Sequence, residues 1–121
     1  MISLRILIAE DEAVIAMLIE EVLAGLGHHV CATVSSADEL VAAAQAHRPD
    51  LIIADAGLHE SSGLIAIATI LKSDIIPHIF MSGSAAAVRA SFPDAVVLEK
   101  PFDEADLERA IAAATGALSI L

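Results

Sequence analysis

Leu4-Arg5-Ile6-Leu7-Ile8-Ala9-Glu10-Asp11 is an apolar run, broken once by Arg5, that stops on two acids. Short runs of this kind read as strands of a parallel sheet covered on both faces, and the charge marks where the chain leaves the core. Residues 29–34, 51–54, 75–81 and 95–98 repeat the signature, and two of the five runs, 51–54 and 95–98, are continuously apolar. Between them lie stretches with helical spacing at residues 12–26, 36–46, 62–71 and 104–115, with a short alanine-rich piece at 85–90. Five strand–helix pairs in alternation predict an α/β domain built on a parallel sheet.

The helix boundaries carry local signals. In 12–26, Ile15, Leu18, Ile19, Val22, Leu23 and Leu26 form an apolar stripe, Glu20 and Glu21 face away from it, and Gly25 and Gly27 mark the end. Ser36 with Glu39 three residues later reads as a capping box, and Asp103 can cap the last helix. No linker, low-complexity tract or internal repeat interrupts the chain, so a single domain over 1–121 with no output domain is expected. The tail from Gly116, with Leu118, Ile120 and Leu121, packs against the body, forms a self-association surface or frays.

Composition narrows the function. Among 121 residues, 17 are acidic and 6 basic, a formal net charge of −11, yet 57% are hydrophobic and mean hydropathy is +0.76. A disordered acidic tail would lack that apolar content, so the charge belongs to the surface or the site of a compact domain. Binding to a phosphate backbone needs Lys and Arg in quantity, and single-stranded nucleic acid needs stacking rings. Phe80, Phe92 and Phe102 are the only Phe, Tyr or Trp residues, so direct nucleic-acid binding is not expected. Cys31 stands without the second thiol of a disulfide or a CxxC pair, and the first apolar run is too short for a signal peptide or a membrane span. A cytoplasmic protein with no membrane segment is expected.

In open parallel sheets, ligands bind beyond the carboxyl ends of the strands. Glu10 and Asp11 follow the first predicted strand, Asp55 the third, Ser82 the fourth and Lys100 the fifth. Two carboxylates about 4 Å apart repel by roughly 4 kcal/mol at an effective dielectric of 20, so three together call for a cation or a proton. With oxygen donors alone, Mg²⁺ is the natural ion and Mn²⁺ a substitute.

In this order, Glu10-Asp11, Asp55 after Leu51-Ile52-Ile53-Ala54, Gly63 eight residues later, Ser82-Gly83 and Lys100-Pro101-Phe102 resemble the receiver domain of two-component response regulators. The resemblance spans essentially the whole chain. It implies a flavodoxin-like (βα)5 fold, a doubly wound five-stranded parallel sheet of order 2-1-3-4-5. It also implies that Asp55 accepts a phosphoryl group from a histidine kinase or phosphotransfer protein. Asp11, Asp55 and the backbone carbonyl of Gly57 would hold Mg²⁺, with Glu10 acting through metal-bound water. Lys100 would supply positive charge, and Ser82 would donate to a phosphoryl oxygen. These roles suit a group whose charge spreads over equatorial oxygens in transfer. The implied chemistry is phosphotransfer and autodephosphorylation rather than turnover of an external substrate. Lys100-Pro101 matches the family's cis peptide. Helix one would dock the phosphodonor, the surface from the fourth to the fifth helix would meet a downstream protein, and the chain would be a monomer or a phosphorylation-dependent dimer.

Two departures bear on the switch. Where the family carries a Tyr or Phe three residues before the lysine, Val97 stands, and the spacing from Ser82 to Lys100 is short by about one helical turn. A short or irregular fourth helix is expected. With Phe80-Met81-Ser82-Gly83, these features are similar to an atypical subgroup bearing a Phe-Ala-Thr-Gly motif, whose members pair with kinases of the HWE and HisKA2 types; Met81 and Ser82 replace the motif's Ala and Thr. Phosphorylation is expected to order residues 84–91, and His59, where proline is common, predicts a loose loop over 56–62.

Other readings stay open. A phosphate sink needs no readout, and an adaptor independent of phosphorylation is made plausible by Val97. A metal-dependent phosphatase ranks below both, because the second acid such enzymes carry two residues after the nucleophile is here Gly57. Among the remaining residues, Met17 and Met81 read as core filler and Cys31 as a small buried residue. Phe102 reads as packed under the last helix, and the five histidines as exposed or capping.

Overall fold

The computed structural model describes residues 2–58 and 60–116. In chain order the elements are β1 (Arg5–Ala9), α1 (Ala13–Gly25), β2 (His29–Val34), α2 (Ala37–His47), β3 (Leu51–Asp55), β4 (Gly57–Leu58), β5 (Ser61–Ser62), α3 (Gly63–Ile70), β6 (His78–Ser82), α4 (Ala85–Arg89), β7 (Val96–Glu99) and α5 (Glu104–Thr115). Five strands make one parallel sheet of order β2-β1-β3-β6-β7. With the β4–β5 hairpin set aside, this is the expected order 2-1-3-4-5, a flavodoxin-like doubly wound fold.

Alternation along the strands divides the core into two layers. Ile6, Ile8, Ile53, Ile79 and Met81 pack with residues of α1 and α5, whereas Leu7, Ala9, Ile52, Ala54 and Phe80 pack with residues of α2, α3 and α4. Each buried aliphatic or Phe side chain contributes about 1.5 to 3 kcal/mol, so the apolar runs fix the strands at the centre of the molecule. Phe102 joins the α5 layer, half-buried as expected. No helix among the described residues is long and apolar enough to cross a membrane.

Several expectations need correction. The fourth long strand starts at His78 rather than 75. Pro77 has no N–H for a ladder, and Ile75 is 98% exposed. On α1 the buried line is Ala16, Ile19 and Leu23, which leaves Met17 and Leu18 51% and 54% exposed; Met17 is not core filler. Cys31 is half-buried rather than buried, at the sheet edge. His78 is neither exposed nor a cap: it lies half-buried against the rings of Phe80 and Phe92. Glu39 reaches one residue beyond the expected box, accepting the Ser35 N–H at 3.2 Å while Ser36 Oγ accepts the Glu39 N–H. Asp103 and Asp106 complete a full capping box on α5.

Two segments singled out in the sequence carry local structure among the described residues. Residues 56–62 contain the hairpin, with Leu58 buried and Glu60 in the left-handed region at φ 53°. The fourth helix is short, as expected, but residues 84–91 are already held. Ser84 Oγ accepts the Ala87 N–H, and Glu99 Oε2 accepts the Ala85 N–H at 3.0 Å. Just beyond the helix, Phe92 lies 5.0 Å from the Phe80 ring. His59 and the tail 117–121 lie outside the described residues.

Candidate functional site

Main-chain hydrogen bonds between neighbouring strand ends bring the charged residues together. The Glu10 N–H donates to the Val34 carbonyl, the Ala56 N–H to Met81 and the Lys100 N–H to Ser82, at 2.8–2.9 Å. Glu10, Asp11 and Asp55 each offer an oxygen within 4.8 Å of the others. Lys100 Nζ donates to Asp55 Oδ2 at 2.6 Å and lies 3.5 Å from Glu10 Oε1. The Lys100-Pro101 peptide is cis. Asp55 Oδ1 accepts the Gly57 N–H at 3.0 Å. Gly63 permits this packing. A Cβ there would stand 2.0 Å from the Asp55 carbonyl oxygen, so α3 can begin against the end of β3 only with glycine.

Burial makes the group electrostatically costly. Glu10 is 3% exposed and Asp55 8%, and Glu10 Oε2 is buried with no hydrogen-bond partner among the described residues. Desolvation first, and then the neighbouring Asp55 carboxylate, push the Glu10 carboxyl up to about 8. Asp55 moves the other way: burial opposes its ionisation, but its contacts with Glu10 and Lys100 and the hydrogen bond from the Gly57 N–H outweigh it and hold the carboxyl below its ordinary range. Burial likewise works against the Lys100 ammonium, and contact with Asp55 and Glu10 raises it nonetheless. These shifts favour an ionised Asp55 carboxylate, a protonated Glu10 carboxyl and a charged Lys100 ammonium.

The donor set fits a hard divalent cation. It consists of oxygens alone, it carries more negative than positive charge, and one of its oxygens is buried without a partner among the described residues. Of the residues singled out in the sequence, the structure brings together Glu10, Asp11, Asp55 and Lys100. Gly57 meets Asp55 through its N–H. Ser82 is turned toward α4: its Oγ donates to the Ser84 carbonyl and accepts the Ser84 N–H, both at 3.1 Å. Val97 lies beside Phe80 in the sheet register, half-buried and without a ring to rotate. Sequence reasoning missed Glu99 and Ser61, polar residues whose partners are 14 and 24 positions away and which no local pattern marks.

The family model for the response regulator receiver domain matches residues 6–112. The chain belongs to that family. It is 38% identical over 114 residues to the phyllosphere-induced regulator PhyR of Methylorubrum extorquens, an alignment covering 91% of this chain and 43% of that protein. It is 34% identical over 111 residues to the transcriptional regulatory protein PdtaR of Mycobacterium tuberculosis, covering 88% and 54%. The crystal structure of the response regulator PhyR from Brucella abortus superposes with a TM-score of 0.88 at 30% identity, covering 98% of this chain and 50% of that one. The chain thus spans about half the length of the curated relatives it matches. Receiver domains of two-component systems hold Mg²⁺ in an acidic pocket, and Glu10, Asp11 and Asp55 form such a group here.

Proposed function

We propose that this receiver domain is a phosphoacceptor in which Asp55 takes a phosphoryl group from the phosphohistidine of a kinase or phosphotransfer protein. The observation that carries the reading is the Asp55 carboxylate, nearly buried yet kept ionised by Lys100 at 2.6 Å and by the Gly57 N–H. One carboxylate oxygen attacks phosphorus, the P–N bond breaks, and its electron pair leaves with the imidazole nitrogen. Asp55 becomes an acyl phosphate. Lys100 Nζ, freed from the oxygen it pairs with, follows the charge onto the phosphoryl oxygens. Asp11, Asp55, the Gly57 carbonyl and Glu10, the last through water, would hold Mg²⁺. That ion supplies the positive charge that offsets the crowded carboxylates and the incoming phosphate.

Readout follows from the two bonds of Ser82. To donate to a phosphoryl oxygen its hydroxyl must leave the Ser84 carbonyl and N–H, and Ser84 is the N-cap of α4. The signal therefore passes into α4 through its cap, without the aromatic rotation that Val97 cannot perform, and on to a downstream protein at the α4–α5 surface. The phosphodonor meets α1, where Val14, Met17 and Leu18 are exposed beside a groove of about 470 Å³ that runs to Lys100 and Phe102. The Val97 position and the Phe80-Met81-Ser82-Gly83 run support a donor of the HWE or HisKA2 type in the cytoplasm.

Intact-mass measurement after incubation with Mg²⁺ and acetyl phosphate tests the reading. A phosphoryl adduct on the wild type and none on Asp55→Asn is the expected result. An unmodified wild type, with small donors and with its kinase alike, overturns it, and turnover of external phosphate esters overturns it in favour of an enzyme.

A further inference from the structure

Two adjacent serines hold the phosphoacceptor loop from opposite sides. Ser62 caps α3, its Oγ accepting the Ile65 N–H at 3.3 Å. Ser61 turns the other way, and its Oγ accepts the N–H of Ala37, the first residue of α2, at 3.1 Å. The first turn of a helix leaves N–H groups without intrahelical partners. Ser36, the N-cap of α2, serves the Glu39 N–H and not that of Ala37. A residue from a distant hairpin fills the gap.

The hairpin converts this tether into a constraint on the nucleophile. Leu58 pairs with Ser61 and Gly57 with Ser62, and the Gly57 N–H fixes Asp55 Oδ1. A chain of direct contacts therefore runs from the N-terminus of α2, through Ser61 and one antiparallel ladder, to one oxygen of the phosphoacceptor. Leu58 is buried and gives the hairpin a second anchor on the body besides Ser61.

We infer that Ser61 is a positioning residue for Asp55, acting through Gly57 and tying the phosphoacceptor loop to α2. The inference rests on the phosphoacceptor reading for its consequence but not for its geometry. Losing one neutral hydrogen bond loosens a two-strand hairpin by a factor of about three to ten. Ser61→Ala is expected to speed hydrogen exchange at both the Ala37 and Gly57 amides by that factor in metal-free protein. It should also weaken Mg²⁺ binding, read by calorimetry, and slow phosphorylation by acetyl phosphate to a similar degree. Thermal stability should stay within about 3 °C of wild type. Ser61→Thr, which keeps the acceptor oxygen and suits an extended backbone, should restore all three.

Faster exchange at Ala37 with Gly57, Mg²⁺ binding and phosphorylation all unchanged would reduce Ser61 to a cap of α2 and overturn the inference. Failure of Ser61→Thr to rescue would do the same. A wild type that takes neither Mg²⁺ nor phosphate would instead overturn the phosphoacceptor reading, and exchange at Gly57 would still decide the positioning role.

Discussion

The two edges of the sheet handle charge in opposite ways. At the edge where the strands begin, Arg5 donates to the carbonyls of His47 and Arg48, Asp50 Oδ2 accepts the Arg5 N–H at 2.8 Å, and His28 Nδ1 accepts the Leu4 N–H at 3.1 Å. Arg5 and Asp50 are exposed, and both groups have partners. At the edge where the strands end, Glu10 and Asp55 are buried against Lys100, and one carboxylate oxygen has no partner among the described residues. The same sheet thus supports a satisfied base and an electrostatically costly rim. Ordinary packing explains the base, and chemistry explains a rim that burial alone would disfavour.

Removing the lysine is expected to have the largest effect. Lys100→Met leaves two buried carboxyl groups facing each other and should lower stability by about 2 to 3 kcal/mol, rather less than for a fully buried pair because the ammonium is partly exposed. Urea denaturation measures it, and Mg²⁺ should recover most of the loss. A loss no larger than at the opposite edge would erase the contrast.

A pH effect of intermediate size belongs to the same rim. Glu10 binds its proton up to about 8 in the folded protein, against an ordinary value of 4.5. Its contribution to metal-free stability is therefore fully present below 4.5 and is lost as pH rises through about 8, with a slope of at most about 1.4 kcal/mol per pH unit. Asp55, held below 3.8, and Lys100, raised above 10.5, change stability outside that window. Denaturation midpoints between pH 5 and 8.5 should fall for the wild type and flatten for Glu10→Gln. Equal slopes in both would locate the buried proton elsewhere.

The smallest effect is expected at the base. Asp50→Ala removes one exposed hydrogen bond to the Arg5 N–H and should cost about 0.5 to 1 kcal/mol in the same urea assay, leaving phosphorylation of Asp55 unchanged. A larger loss, or slower phosphorylation, would mean that the two edges are coupled.

Short apolar runs and caps were legible because they are local. Residues 6–9 and 51–54 read as strands because short contiguous apolar runs suit a sheet covered on both faces, and Asp103 announced α5 through its own first turn. That Glu10, Asp11, Asp55 and Lys100 meet was equally legible, because strand order places strand ends side by side. Tertiary structure alone decided the rest. Whether Met17 and Leu18 face the core depends on how α1 is rolled against the sheet. The shape of residues 56–62 depends on Leu58 finding the core and Ser61 finding Ala37. The protonation of Glu10 depends on groups 45 and 90 residues away. Sequence fixes what a segment can bury and which charges it carries. Distance, desolvation and the sharing of one lysine by two carboxyl groups arise only when the strands lie side by side.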